Sequence, residues 1–140
     1  MFYGEYEHTI DRKGRIIVPS KFRDVFKEQF VEKFYVTRGL DKCLFVFTEE
    51  EWKTQEQKFK SMSFTKADSG GADITCDKQG RILLPQYLKE YAGIKRDVMI
   101  IGVSNRIEIW SKEEWRKYYE GAAPSFEKTA ENLLDLEEKG

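Results

Sequence analysis

The chain has 140 residues, with 24 basic and 25 acidic side chains and a formal net charge of −1 at pH 7. This length fits one domain with its own core, and an apolar content of 40% is ordinary for a folded protein. The sequence contains no run of about 18 apolar residues, and its first residues show no basic flank followed by an apolar stretch. We therefore expect no membrane span and no secretion signal, and a cytoplasmic location.

The residue inventory argues against metal binding and nucleophilic catalysis. Cys43 and Cys76 each lie in a strand-like stretch without a second cysteine nearby, so we expect packed thiols and no disulfide framework. His8 is the single histidine, which leaves no His/Cys set for zinc. Neither a Gly-x-Ser-x-Gly motif nor a phosphate-binding glycine loop occurs. We therefore expect no enzymatic activity, no metal and no cofactor.

The near-neutral charge also sets a condition on nucleic-acid binding. DNA-binding domains usually carry a basic excess, because contacts with phosphates favour Lys and Arg. If this chain binds DNA, its basic groups must be concentrated on one face or by oligomerisation.

An internal repeat organises the chain. The segment Asp11-Arg12-Lys13-Gly14-Arg15 recurs 66 residues later as Asp77-Lys78-Gln79-Gly80-Arg81. Further on the shift falls to 63, and Trp52 maps onto Trp115. The sequence thus predicts one structural domain made of a first hairpin repeat at 1–60, a linker at 61–71, a second hairpin repeat at 72–120 and an amphipathic tail at 121–140.

The first copy begins with two short β-rich runs around a turn. Glu5–Ile10 and Arg15–Val18 predict strands joined through Gly14 as a β-hairpin. Pro19 ends the second strand, because proline cannot donate a hydrogen bond to the ladder. A short helix follows, whose apolar face consists of Phe22, Val25 and Phe26.

A second hairpin and a second helix complete the copy. Phe34–Arg38 and Cys43–Phe47 predict the two strands of this hairpin. Thr48 begins a capping box, S/T-x-x-E, and starts a helix that carries Trp52 in its first turn. We expect Trp52 to be a core anchor.

The second copy repeats the same order after a linker rich in Ser, Thr, Lys and Gly. Its helix has an apolar face of Leu88, Tyr91 and Ala92 and stops at Gly93. Val98–Val103 and Arg106–Trp110 predict its second hairpin, and Ser111 begins another capping box before Trp115, a second expected core anchor. In the tail, Phe126, Ala130, Leu133 and Leu134 share one helical face, which would pack on the body or on a neighbouring subunit.

The two Asp-x-x-Gly-Arg turns have both a structural and a functional interpretation. Asp11 and Asp77 are suited to cap backbone N–H groups, and the arginine four residues later would hold each carboxylate ionised. On the functional interpretation, two-stranded ribbons fit the major groove, where Arg donates two hydrogen bonds to guanine. The basic residues of the turns are Arg12, Lys13, Arg15, Lys78 and Arg81.

These segments resemble the MraZ family, which is related to the AbrB-like swapped-hairpin DNA-binding proteins. The matching stretches cover most of the chain and include Thr9-Ile10-Asp11, Lys13-Gly14-Arg15, residues 37–44, residues 77–81 and residues 101–106. The resemblance implies an α+β fold in which two tandem AbrB-like hairpin-and-helix repeats form a pseudo-twofold small barrel with peripheral helices. The family pattern has a further helical segment before the second copy, whereas here Asp68 runs directly into Ser69.

The resemblance also implies a function. Members are expected to be sequence-specific transcription factors that repress their own cell-division and cell-wall operon, bind repeated promoter boxes as a ring and associate with the nucleoid. Arg15 and Arg81 match the family's motif arginines, with Asp11 and Asp77 as their partners. The expected partners are therefore double-stranded promoter DNA and further copies of this chain. The alternative is a structural or protein-interaction module that forms rings without direct DNA readout. In that module the arginines only brace the two turns that contain Gly14 and Gly80.

Overall fold

The computed structural model describes residues 1–28, 33–61 and 71–121. Strand–strand–helix–strand–strand–helix occurs twice in this α+β structure, which is consistent with a tandem repeat. In chain order the elements are β1 (Phe2–Thr9), β2 (Arg15–Ile17), α1 (Ser20–Glu28), β3 (Lys33–Arg38), β4 (Leu44–Thr48), α2 (Glu49–Ser61), β5 (Ala72–Thr75), β6 (Arg81–Leu83), α3 (Gln86–Ala92), β7 (Asp97–Ser104), β8 (Arg106–Ser111) and α4 (112–121).

Six strands form a large antiparallel sheet in the order β1-β7-β8-β4-β3-β5. Two of its pairings are the hairpins expected from the sequence, since β3 pairs with β4 and β7 pairs with β8. The β7–β8 turn is tight, with Val103 opposite Arg106. The pairings place β1 and β5 at the two ends of the sheet, and the small barrel implied by the resemblance stays a prediction.

The other predicted hairpin is wrong in both copies. The strands that flank each Asp-x-x-Gly-Arg turn do not pair with each other: β1 pairs with β7, and β2 pairs with β6 from the other copy. In the second copy, β5 pairs with β3 of the first copy. In the first copy the lengths explain this outcome, because β1 has eight residues and β2 has three. Pairing within one copy would leave most backbone groups of β1 without partners, whereas β7 matches β1 over its full length.

Exchange of strands gives the two copies a common core. Ile16 of β2 and Ile82 of β6 are buried together with sheet residues from both copies. Helices α1 and α3 cover this core, and Phe22 and Leu88 are at most 1% exposed. The two-stranded β2–β6 ribbon therefore has one face fixed against the core, and its other face points outward.

The N-cap hydrogen bonds expected of the two capping boxes, and the predicted helix stop, are present in the structure. Thr48 Oγ1 accepts a hydrogen bond from Glu51 N at 3.3 Å, and Ser111 Oγ accepts one from Glu114 N at 3.0 Å. Helix α3 ends at Gly93, whose φ of +66° is the left-handed conformation that favours glycine.

The two tryptophans expected to be core anchors, Trp52 and Trp115, pack to different extents. Trp52 is buried, as expected of a core anchor. Trp115 is only half-buried and contacts Trp110, with ring centroids 5.4 Å apart, in a second and smaller cluster that includes Cys43 and Ile101. The expectation of a core anchor is therefore confirmed for Trp52 and only partly for Trp115.

Cys43 is buried, and burial raises the pKa of its thiol to about 12, so it is packed as a thiol. Cys76 is half-buried. Most of the expected linker at 61–71 and nearly all of the tail at 121–140, including its amphipathic face, lie outside the described residues. In the part of the chain that the structure describes, no helix combines the length and hydrophobicity needed to cross a membrane.

Candidate nucleic-acid interface

The side chain of Asp11 connects the parts of the first turn. Its Oδ1 accepts hydrogen bonds from the backbone N–H groups of Lys13 and Arg15, both at 2.9 Å. Its Oδ2 accepts a hydrogen bond from Nε of Arg15 at 2.7 Å. The backbone closes the same turn, because Gly14 N donates to Asp11 O at 3.0 Å. Gly14 has a φ of +83°, a conformation in which other residues would be strained.

The second turn repeats this arrangement bond for bond. Asp77 Oδ1 accepts from the backbone N–H groups of Gln79 and Arg81 at 2.9 Å, and Oδ2 accepts from Arg81 Nε at 2.9 Å. Gly80 N donates to Asp77 O at 3.0 Å, and Gly80 has a φ of +80°. Two turns of different composition at their middle positions thus have the same geometry.

Both aspartates are held in the charged form. The hydrogen bond from the backbone N–H of Arg15 has the largest effect on the pKa of Asp11. Together with the hydrogen bond and charge of the Arg15 guanidinium, it outweighs the opposing effect of desolvation and keeps this pKa below its usual value. The pKa of Asp77 is lowered in the same way by Arg81. A carboxylate that stays ionised and fully engaged suits a fixed turn and not a proton-transfer role.

We expect Asp11→Asn to lower the thermal unfolding midpoint at pH 7 and this difference to shrink on acidification. A carboxyl whose folded pKa lies below its unfolded pKa of about 3.9 contributes stability that is complete above that value and is lost as pH falls through the folded pKa. The measurement is the unfolding midpoint of both proteins between neutral and strongly acidic pH. Glu120→Gln, at an exposed position of α4, is the control and should show no difference. A destabilisation that persists unchanged in acid would contradict the assigned role of the charge.

The pairing of β2 with β6 places both motif arginines on the same face. Arg15 lies opposite Leu83, and Ile17 lies opposite Arg81. Because opposite residues of a strand pair project to the same side, these four side chains form the outward face, while Ile16 and Ile82 are buried behind them. We call this surface of Arg15, Ile17, Arg81 and Leu83 the ribbon face. It is built from both copies, so neither copy alone contains it.

The aspartates orient the two guanidinium groups of the ribbon face but bind only part of their hydrogen-bond donors. Each makes its hydrogen bond to aspartate through Nε. Among the described residues, no further hydrogen bond is formed by the Nη nitrogens of Arg15 or Arg81. The side chains are 28% and 26% exposed. The edge that carries Nη1 and Nη2 is the part of arginine that can donate two parallel hydrogen bonds to O6 and N7 of guanine.

The remaining basic residues of the turns lie at the two ends of the ribbon. Leu84 N donates to Gly14 O, and Val18 N donates to Gly80 O, so the turns are at opposite ends. Arg12 and Lys13 are exposed at one end and Lys78 at the other. Residues 11–17 and 77–83 together carry five basic and two acidic side chains. A chain of net charge −1 therefore has a local basic excess along this ribbon.

Two further basic residues, Arg23 and Lys89, were missed by the sequence interpretation. A Cβ placed on Gly80 would lie 2.7 Å from Nη1 of Arg23, and one on Gly14 would lie 2.8 Å from Nζ of Lys89. Each helix therefore brings its cation against the turn of the other copy. The same shift of 66 relates Arg23 to Lys89. The repeat was a usable signal for them, but strand exchange was needed to place them beside the turns.

Arg23 also contains an unsatisfied donor. Its Nε is buried and has no hydrogen-bond partner among the described residues. Such a donor is costly to bury, because a lost hydrogen bond to water is not replaced. An anionic group bound at this turn would find a cation already in position.

Comparison with known proteins agrees with the repeat. The sequence pattern of the family described as "MraZ protein, putative antitoxin-like" matches residues 1–73 and again residues 69–136. A protein from Desulforamulus reducens named "Transcriptional regulator MraZ" is 50% identical over 145 residues, covering 97% of this chain and 99% of its own length. Proteins of the same name from Thermoanaerobacter sp. and Syntrophomonas wolfei are 51% and 50% identical, with the same two coverages.

The fold and the site define a duplicated α+β protein whose copies exchange strands to form an outward ribbon with two braced arginines. The chain belongs to the MraZ family. Its alignments with the relatives span more positions than its 140 residues, so some positions of the relatives fall opposite gaps in this chain. This is compatible with the shortened linker inferred from the family pattern, whose place in the chain stays a prediction.

Proposed function

We propose that this chain is a sequence-specific DNA-binding transcriptional regulator that binds DNA through the ribbon face. The observation that carries the proposal is the placement of Arg15 and Arg81 on one outward face, each oriented by an aspartate through Nε. A two-stranded ribbon has the width that enters a major groove. The names of the relatives, transcriptional regulators of the MraZ family, support a regulatory role.

The roles within the interface follow from exposure and geometry. Arg15 and Arg81 are assigned to guanine, because the bracing aspartates accept from Nε and leave the Nη nitrogens available to another acceptor. Arg12, Lys13 and Lys78 at the ribbon ends are assigned to phosphates, which require charge but no fixed geometry. Asp11 and Asp77, together with Gly14 and Gly80, form the turns that position the arginines. No catalytic residue is part of this proposal.

The proposal includes assembly of several copies, in a ring, on repeated promoter boxes. The net charge of −1 supports this part, because one subunit supplies only a local basic surface. An oligomer that presents several ribbon faces to neighbouring boxes gains affinity from multivalency without any stronger single contact. Repression of the chain's own cell-division and cell-wall operon, in the cytoplasm at the nucleoid, is the regulatory setting that the family resemblance suggests.

A protein-interaction module is the competing function. In that case the aspartate–arginine pairs would serve only to brace the turns, which the hydrogen bonds alone would allow. The basic excess of the ribbon favours an anionic partner.

The test is a titration of the purified protein with DNA from directly upstream of its own coding sequence. An equally long fragment from within the coding sequence is the control, since it carries the same phosphate charge. We expect the upstream fragment to bind on the order of 10³-fold more tightly, the lower range for specific recognition. Equal affinity for both fragments at every salt concentration would contradict sequence-specific binding and leave only nonspecific attraction to DNA or the interaction module.

A further inference from the structure

The ribbon face contains two exposed aliphatic side chains between its arginines. Ile17 is 47% exposed and Leu83 is 56% exposed. They do not contribute to the core, because the inward positions of the same strands are occupied by Ile16 and Ile82. The shift of 66 relates Ile17 to Leu83, so both copies place an aliphatic group at the same outward position.

We infer that Ile17 and Leu83 are specificity-determining residues that contact the C5-methyl groups of thymine beside the guanines bound by Arg15 and Arg81. This inference rests on the proposed function and adds a second base to it. In the major groove, thymine is the base that offers a methyl group, and apolar side chains recognise it by direct contact. Uracil in DNA pairs identically but lacks that methyl group.

The register of the ribbon determines which groups are neighbours. Leu83 lies directly opposite Arg15, and Ile17 lies directly opposite Arg81. Opposite Cβ atoms in such pairs are about 4.5–5.5 Å apart, which is within reach of adjacent base pairs. Each arginine thus has one aliphatic neighbour across the ribbon, so the bound sites should contain thymine next to or near each contacted guanine.

Charge complementarity selects DNA over an apolar protein partner for this face. The aliphatic pair is surrounded by the five basic residues of the ribbon, while the two aspartates are engaged by Arg15 and Arg81. Lys13 and Lys89 also line the open groove beside Leu83. The one carboxylate among the residues that line this groove belongs to Asp73, and its Oδ2 lies 3.5 Å from Nζ of Lys33. A partner for this surface must therefore combine negative charge with small apolar groups, which is what a thymine-containing major groove presents.

The experiment compares two versions of the upstream fragment, one synthesised with thymidine and one with deoxyuridine. Burial of one methyl group corresponds to about a fourfold change in affinity, so loss of two contacts should weaken wild-type binding roughly 10- to 20-fold. The double variant Ile17→Ala/Leu83→Ala should bind the thymidine fragment more weakly by a similar factor. It should also lose the discrimination between the two fragments.

Leu40→Ala is the matched control, because Leu40 is an aliphatic residue of the β3–β4 connection, outside the ribbon strands, and is 74% exposed. It should bind both fragments as wild type does. Thermal unfolding of the double variant should be close to wild type, since both positions are exposed. Wild-type protein that binds both fragments equally, or a double variant that keeps full discrimination, would overturn the inference while leaving the proposed function intact. No preference for the upstream thymidine fragment over coding-sequence DNA would overturn both.

Discussion

The double variant Arg15→Ala/Arg81→Ala is expected to lose specific DNA binding while the protein remains folded. A good bidentate contact to a base contributes about 1–3 kcal/mol of discrimination, so we expect each arginine to account for roughly a 5- to 150-fold preference. The loss of both should bring the affinity for the upstream fragment close to that for coding-sequence DNA. The measurement is the ratio of the two affinities at one salt concentration, with circular dichroism to verify the fold.

The conservative variant Arg15→Lys separates readout from charge. Lysine keeps the positive charge but lacks the planar fork that can bind Asp11 through Nε and a base through its outer edge. We expect it to lose specificity nearly as alanine does and to keep most of the nonspecific binding. Lys13→Ala should do the reverse. It should weaken the affinity equally for all DNA sequences and should reduce the slope of log affinity against log salt concentration by about one.

Unchanged specificity in the double arginine variant would contradict direct readout by the ribbon face. A loss of specificity accompanied by a large fall in the unfolding midpoint would instead assign the arginines to bracing the turns. We expect only a small fall in the unfolding midpoint, because each Asp–Arg pair is partly exposed and exposed ion pairs contribute little to stability. The structure therefore predicts that binding and stability respond very differently to the same substitution.

Local features of the fold were predictable from the sequence, because they depend on neighbours in the chain. The β3–β4 and β7–β8 hairpins, the caps at Thr48 and Ser111 and the stop at Gly93 all follow from turn and cap chemistry. The partner of β2 was not predictable in this way. Alternation of apolar and polar residues determines which face of a strand is buried, but it does not determine which strand lies beside it.

In the candidate site, too, the features that depend on neighbours in the chain were predictable, and those that depend on distant segments were not. The Asp–Arg turns were recognisable because the bracing bonds join residues at most four positions apart. The ribbon face was not, because it requires Arg15 to lie opposite Leu83 across the two copies. Arg23 and Lys89 were missed for the same reason, since each contacts a turn that is distant in sequence.

Residues 1–60 expressed alone are expected to form no stable folded monomer. Strand β1 loses its pairing with β7, β2 loses its pairing with β6, and β4 keeps β3 but loses β8. What remains is one hairpin with helices, which is marginal in isolation, and about 60 residues is near the lower limit for an independent core. Ile16 would also lose Ile82 and the second copy's sheet residues that bury it.

Addition of residues 61–140 to residues 1–60 provides the control, because every lost pairing lies between the two fragments. An equimolar mixture should regain the dichroism of the intact chain, and a 1–60 fragment that does fold should do so as a homodimer, with one copy taking the place of the other. Its unfolding midpoint would then rise with protein concentration. A 1–60 fragment that is monomeric and unfolds cooperatively at a concentration-independent midpoint would contradict strand exchange. The ribbon face would then have to form within a single copy, where Arg15 has no Leu83 to lie against.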